Sequence, residues 1–328
     1  MRLIFMGTPD FAVPSLKALV ESKHTVLAVV TQPDRPKGRG KKETPPPVKD
    51  LAQSLNLLVI QPSQVREPDF VSLLRSFLPE VIVVVAYGKI LPRDVLLLPK
   101  YGCINLHASL LPKYRGAAPI HRALINGELE TGITTMFMDE GLDTGDIILQ
   151  KSIPILEEDT VGTVHDRLAV EGARLLNKTL YLIEIGQAPR KPQKGKSSYA
   201  PVITGADELI QWNKPARDIF NHIRGMNPWP GAHTFWGNKM LKIWRTHVRE
   251  EDHTQEHQRS KPGQILKTGR EGIMVCTGRG IIVIDELQLQ GAKRMSAADF
   301  LRGTPGLSGA VLANVQGWEA VSDEGGDD

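Results

Sequence analysis

Val81-Ile-Val-Val-Val85 is five β-branched residues in a row with no polar break. Alternation would mark a strand with one wet face. An unbroken apolar run marks one covered on both faces, as in the parallel sheet of an α/β domain. Working outward, residues 3–6, 26–31 and 102–107 have the same texture, and residues 14–22, 48–57 and 118–126 carry helical spacing between them. Residues 133–138 and 147–155 read as further strands, and 160–185 as a long helix. Strand and helix alternate to about residue 186, which predicts an α/β, Rossmann-like doubly wound domain.

Residues 187–205 break the rhythm with prolines and four cations, Arg190, Lys191, Lys194 and Lys196, against no acid. Beyond them the texture is one helix over 214–224, then short strands around 239–247, 263–267, 272–276 and 280–287 separated by glycine turns. Short strands at that spacing predict a small OB-like β-barrel. The expected organisation is a catalytic domain over 1–188, a basic linker over 189–205, a β-barrel domain over 206–318, and an acidic, disordered tail over 319–328.

Bulk properties agree. A chain of 328 residues exceeds one usual core, so two domains are expected. With 41% hydrophobic and 23% charged residues, a net charge of +3 and a mean hydropathy of −0.19, it is a globular composition. Met1-Arg-Leu-Ile-Phe-Met6 is too short for a secretory leader, and no apolar run approaches the roughly 18 residues of a membrane span. Two distant cysteines, Cys103 and Cys276, in apparent strands suit a reduced, cytoplasmic protein with no membrane partner.

The chemistry concentrates after the strand at 102–107. Asn105-Leu-His107 puts an amide and an imidazole on one face of a strand, at the end where open α/β sheets bind ligands. The loop that follows, Ser109-Leu110-Leu111-Pro112, is apolar enough to line a pocket. A glycine-rich acidic loop, Gly141-Leu-Asp143-Thr-Gly-Asp146, could place a carboxylate beside the imidazole, where it would fix the tautomer and stabilise the charged form. A neutral hydrogen-bonding group and a titratable base beside an apolar slot suit acyl-type transfer. No Gly-x-Gly-x-x-Gly follows the first strand and no Gly-Lys-Ser/Thr loop is present, so dinucleotide or ATP use is unsupported. His253 and His257 stand four apart in a wholly polar stretch, which reads as a solvated loop rather than a metal site.

Taken together, Asn105-Leu-His107, Ser109-Leu-Leu-Pro112-Lys-Tyr-Arg-Gly and Gly141-Leu-Asp143-Thr-Gly-Asp146 resemble the formyltransferases that use 10-formyltetrahydrofolate. The likeness extends to Gly7-Thr-Pro-Asp-Phe11, Gln32-Pro-Asp-Arg35 and Asn227-Pro-Trp-Pro230, so it spans nearly the whole chain. The resemblance implies Asn105, His107 and Asp143 as the catalytic trio, and the folate bound by Ser109, Leu110, Leu111 and Pro112. The pterin would lie in an apolar slot that also draws on Tyr87, Gly88 and Ile90. Asn105 and a protonated His107 would hydrogen-bond the oxygen that becomes charged, and Asp143 would help remove the amine proton; no metal is implied.

Six cations (Arg35, Lys37, Arg39, Lys41, Lys42 and Lys49) face two acids between residues 32 and 49, in a loop without hydrophobic periodicity. Long loops of that kind inside α/β units tend to be functional. The resemblance makes Arg35, Lys37, Arg39, Lys41 and Lys42 contacts to an aminoacylated initiator tRNA, the enzyme acting as a monomer with no obligate protein partner. Two other readings stay open: formyl transfer to a small amine, and an RNA-binding protein without activity. The basic insert argues against the first and the intact trio against the second.

Overall fold

The computed structural model describes residues 1–37, 42–249, 260–304 and 306–313, with Lys37 and Lys42 described by their backbone only. His253, His257, Arg39, Lys41 and the acidic tail lie outside the described residues. The chain forms two units: Met1–Ile120, Leu129–Ile155 and Thr163–Val202 make one, and His121–Glu128, Leu156–Gly162 and the chain from Ile203 the other.

The first unit is built on a seven-stranded sheet. In chain order its elements are β1 (Arg2–Gly7), α1 (Val13–Val20), β2 (Thr25–Val30), a small hairpin of β3 (Arg35–Lys37) and β4 (Lys42–Thr44), and α2 (Pro47–Ser54). There follow β5 (Val59–Ile60), α3 (Pro68–Ser76), β6 (Val81–Val85), α4 (Arg93–Leu96) and β7 (Cys103–His107). After α5 (Pro119–Ile125), which from His121 belongs to the second unit, β8 (Glu130–Phe137), β9 (Ile147–Pro154) and α6 (Val161–Glu184) complete the series. The sheet order is β5-β2-β1-β6-β7-β8-β9. The first five strands pair in parallel, and β8 and β9 are antiparallel additions. The chain leaves β1 towards β2 and β5, then returns to β6 on the other side, so strand order reverses at β1/β6. That is the switch point at which such sheets open a crevice beyond the strand ends.

The run that decides the fold is β6, with all five residues buried, as a strand covered on both faces requires. On one side Ile82 and Val84 join a core with Phe70, Leu74, Tyr87 and Val95. The basic loop expected to lack regular structure contains the β3–β4 hairpin, paired Arg35 to Thr44. Helix α3 and the two-residue β5 were not anticipated. Sequence spacing did not expose β5 because two residues show no period, whereas α3 carries a proline at its first turn and buries Phe70, Val71 and Leu74.

In the second unit, α7 (Ala216–Gly225) precedes β10 (His233–Trp236), β11 (Lys239–Arg249), β12 (Ile265–Gly269), β13 (Gly272–Cys276), β14 (Ile281–Leu289), β15 (Met295–Ser296) and α8 (Ala297–Arg302). Its antiparallel sheet runs β10-β11-β14-β13-β12. Residues 311–313 bridge both edges, Val311 to Gln264 and Ala313 to Phe235, which closes the sheet on itself. Closure removes the exposed edges that an open five-strand sheet would leave. Ile219, Phe220 and Ile223 of α7 fill its core against Ile243, Ile282 and Ile284. Both cysteines are buried and unpaired. Burial pushes the Cys103 thiol up to about 12, so it is an inert strand residue. Among the described residues no helix is long and apolar enough to cross a membrane.

Candidate active site

Strand β7 decides where the chemistry sits. Its period of two puts Cys103, Asn105 and His107 on one face and Ile104 and Leu106 on the other. Gly172 of α6 lies against the Leu106 side chain, where an added Cβ would come within 2.8 Å, so that face is closed by a helix. Asn105 and His107 are the polar residues of this strand, both nearly buried.

They meet Asp143, carried in on the β8–β9 loop. Asn105 Nδ2 donates to Asp143 Oδ1 (3.2 Å), and the Gly116 N–H donates to Asp143 Oδ2 (2.8 Å). Asp143 Oδ2 stands 3.6 Å from His107 Nδ1. The three residues that the sequence selected therefore form one cluster. Asp143 has φ of 52°, the left-handed region that a short polar side chain tolerates better than most.

The histidine's partner differs from expectation. His107 Nε2 lies 2.9 Å from the Tyr114 carbonyl oxygen, which can only accept. Nε2 therefore carries the hydrogen, and Tyr114 fixes the tautomer rather than Asp143. Nδ1 is left as the nitrogen that faces the carboxylate. Only a backbone carbonyl at a left-handed residue (Tyr114 φ 60°) does this, so no side-chain pattern could have revealed it.

The loop after β7 is held internally. Thr134 Oγ1 of β8 donates to the Ser109 carbonyl (2.7 Å) and accepts from the Leu111 N–H (3.2 Å) and Gln150 Nε2 (3.0 Å). Ser109 Oγ donates to the Lys113 carbonyl (2.6 Å), so this hydroxyl shapes the loop. Leu111, joined to Pro112 by a cis peptide, is buried with Met136 and Ile147. Leu110 packs over Gly132.

The expected pterin slot is changed in one respect. The Tyr87 ring is 2% exposed within the β1/β6 core, so it cannot line an open face. Burial raises its phenol to about 12. Its backbone carbonyl instead accepts from Thr8 Oγ1 (3.0 Å) and Gln32 Nε2 (3.2 Å), tying together the chain beyond β1, β2 and β6 at the switch point. Gly88 has φ of 82° with open space where a Cβ would sit, and Ile90 is exposed. These two remain available on the surface, while Tyr87, Ser109 and Leu111 act as structure. The basic loop loses one of its cations to an internal partner. Lys49 Nζ lies 2.8 and 2.9 Å from the Asp34 oxygens, and Gln61 and Lys49 together hold that carboxyl below its usual range.

Sequence reasoning also missed Gln193. Its amide nitrogen donates to the carbonyls of Asp143 (2.8 Å) and Gly145 (2.9 Å), and its oxygen accepts from Arg115. Among the described residues no group of His, Cys, Asp and Glu is arranged to hold a metal ion. What the cluster offers is a donor amide, a carboxylate and an imidazole at the carboxyl end of β7, beside β6, a set suited to acyl transfer to an amine.

Both units match formyltransferase models: the Formyl transferase family over residues 1–180, and the Formyl transferase, C-terminal domain, over residues 202–305. The class is thereby defined as a formyl-transferring enzyme. The methionyl-tRNA formyltransferase of Pelotomaculum thermopropionicum is 67% identical over 96% of this chain and 99% of its own. That of Desulforamulus reducens is 54% identical over 95% and 98%. The chain belongs to the methionyl-tRNA formyltransferase family. The fold is shared more widely: HypX from Aquifex aeolicus, solved in complex with tetrahydrofolic acid, superposes with a TM-score of 0.62 at 17% identity, covering 98% of this chain and 50% of that one.

Proposed function

We propose that the first unit transfers the formyl group of 10-formyltetrahydrofolate to the α-amine of aminoacylated initiator methionyl-tRNA, with Asn105, His107 and Asp143 as the reacting cluster. A bond forms from the amine nitrogen to the formyl carbon. The bond from that carbon to the folate nitrogen breaks, and the proton lost by the amine passes to the departing nitrogen. The observation that carries the reading is the Asp143 carboxylate bridging the Asn105 amide and facing His107 Nδ1.

Asn105 Nδ2 has two hydrogens. One goes to Asp143, and the other has no partner among the described residues, so it can donate to the formyl oxygen as negative charge grows there. Asp143 Oδ2 and His107 Nδ1 lie together on the acceptor side and receive the amine's proton on its way. His107 does not serve as the oxyanion donor in this scheme, because its Nε2–H is committed to Tyr114. The folate is held by backbone and aliphatic surface of the Ser109–Pro112 loop and by the Gly88–Ile90 turn.

The tRNA is contacted by Arg35, Lys37, Arg39, Lys41 and Lys42 and by the second unit. The enzyme works in the cytoplasm as a monomer, without a metal. Incubation with 10-formyltetrahydrofolate and a panel of acceptors tests the reading. Formylation of methionyl-tRNA in preference to free methionine and amino-sugar nucleotides is expected; preference for a small amine would overturn it.

A further inference from the structure

Gln193 stands in a stretch that reads as a proline-rich basic connector, yet all the hydrogen-bonding capacity of its carboxamide is spent on the reacting loops. Its two N–H groups go to the Asp143 and Gly145 carbonyls, at 2.8 and 2.9 Å. Its oxygen accepts from Arg115 Nη2 at 2.7 Å and Nε at 3.2 Å. Two donors and a bifurcated acceptor on one planar group belong to Gln and Asn alone.

Arg115 stands between the two backbone groups that hold the cluster. Before it, the Tyr114 carbonyl orients His107; after it, the Gly116 N–H binds Asp143 Oδ2. Gln193 thus ties the loop that brings the carboxylate to the loop that orients His107 and binds the carboxylate itself. The backbone it grips is the one that needs gripping, because Asp143 sits at a positive φ.

We infer that Gln193 is a positioning residue for the formyl transfer, acting through Asp143 by fixing the carboxylate's distance from Asn105 and His107. The inference rests on the role proposed for Asp143. The rest of its segment is anchored independently. Lys191 exchanges backbone bonds with Ile147 (2.8 and 3.0 Å), and Ser198 Oγ accepts from the Tyr114 N–H (2.9 Å). Replacing the Gln193 side chain should therefore leave the segment in place.

The test uses Gln193→Met, which keeps the volume and removes all four bonds, and Gln193→Glu, which keeps the acceptor for Arg115 but removes both donors. Both should lower kcat by roughly 10- to 100-fold, with KM for methionyl-tRNA and for the formyl donor within about twofold of wild type. Melting temperatures should stay within about 3 °C. In an Asp143→Asn background, Gln193→Met should cost less than about twofold more, since residues acting through one group are not additive. Full activity of Gln193→Glu, or an undiminished further loss in the Asp143→Asn background, would overturn the inference. Wild-type turnover by Asp143→Asn alone would instead refute the role of Asp143, and the inference with it.

Discussion

Asp143 has one carboxylate and two tasks: it accepts from Asn105 and Gly116, and it faces the one histidine nitrogen left unbonded by Tyr114. Single residues also set the pH response of the second unit. Arg122 donates to Asp207 (2.8 Å), and that bond, with further donors from Thr204, lowers the Asp207 carboxyl from 3.8 to about 2. A carboxyl depressed in the folded state contributes stability above its unfolded value, which is lost as pH falls from about 4 through about 2. Arg122→Gln should therefore cost about 1 kcal/mol at pH 7, allowing for solvent screening, with the gap to wild type closing below pH 3. Urea melts at pH 7 and at about pH 2 check it; a gap that does not change with pH would contradict the assignment. At this scale the sequence was informative where chemistry repeats with a period. Asn105 and His107 announce themselves two apart on a strand, and Asp143 by its glycine-flanked loop. Gln193 and the Tyr114 carbonyl did not, because one is neutral in a connector-like stretch and the other is backbone.

Elements carry the site by holding its loops. Strand β8 does so through Thr134, fully buried, whose hydroxyl serves the Ser109 carbonyl, the Leu111 N–H and Gln150. Thr134→Val keeps the shape but strands those partners in the interior, where each unsatisfied group costs about 1–3 kcal/mol. An overall loss of about 2–3 kcal/mol is expected in denaturant melts, with a larger fall in affinity for the folate donor than for tRNA. Unchanged stability would show that the loop finds other partners. Strands covered on both faces were readable from composition, β6 above all. The β3–β4 hairpin was not, since its strands are short, cationic and proline-interrupted, and their pairing is visible only in three dimensions. Strand β10, His-Thr-Phe-Trp, hid behind the Asn-Pro-Trp-Pro turn that precedes it.

Over the whole molecule, a net charge of +3 is too small to attract a polyanion, so any tRNA affinity must come from where the cations sit. With Lys49 engaged by Asp34, the remaining cations of the 35–42 loop are the ones to neutralise. Replacing Arg35, Lys37, Arg39, Lys41 and Lys42 with Gln should weaken tRNA binding. It should also flatten the log–log dependence on salt by close to one unit for each phosphate that the variant no longer neutralises, with turnover of saturated enzyme little changed. An unaltered slope would remove the loop from the interface. Beyond binding, the transfer itself is assigned to Asn105, His107 and Asp143. Single-turnover formylation of methionyl-tRNA by Asn105→Ala and His107→Ala, at saturating formyl donor, tests it most directly. A fall of about two orders of magnitude or more is expected in each variant with the fold retained, from the lost oxyanion donor for Asn105 and the lost proton acceptor for His107; a rate within a few-fold of wild type in either one would contradict it.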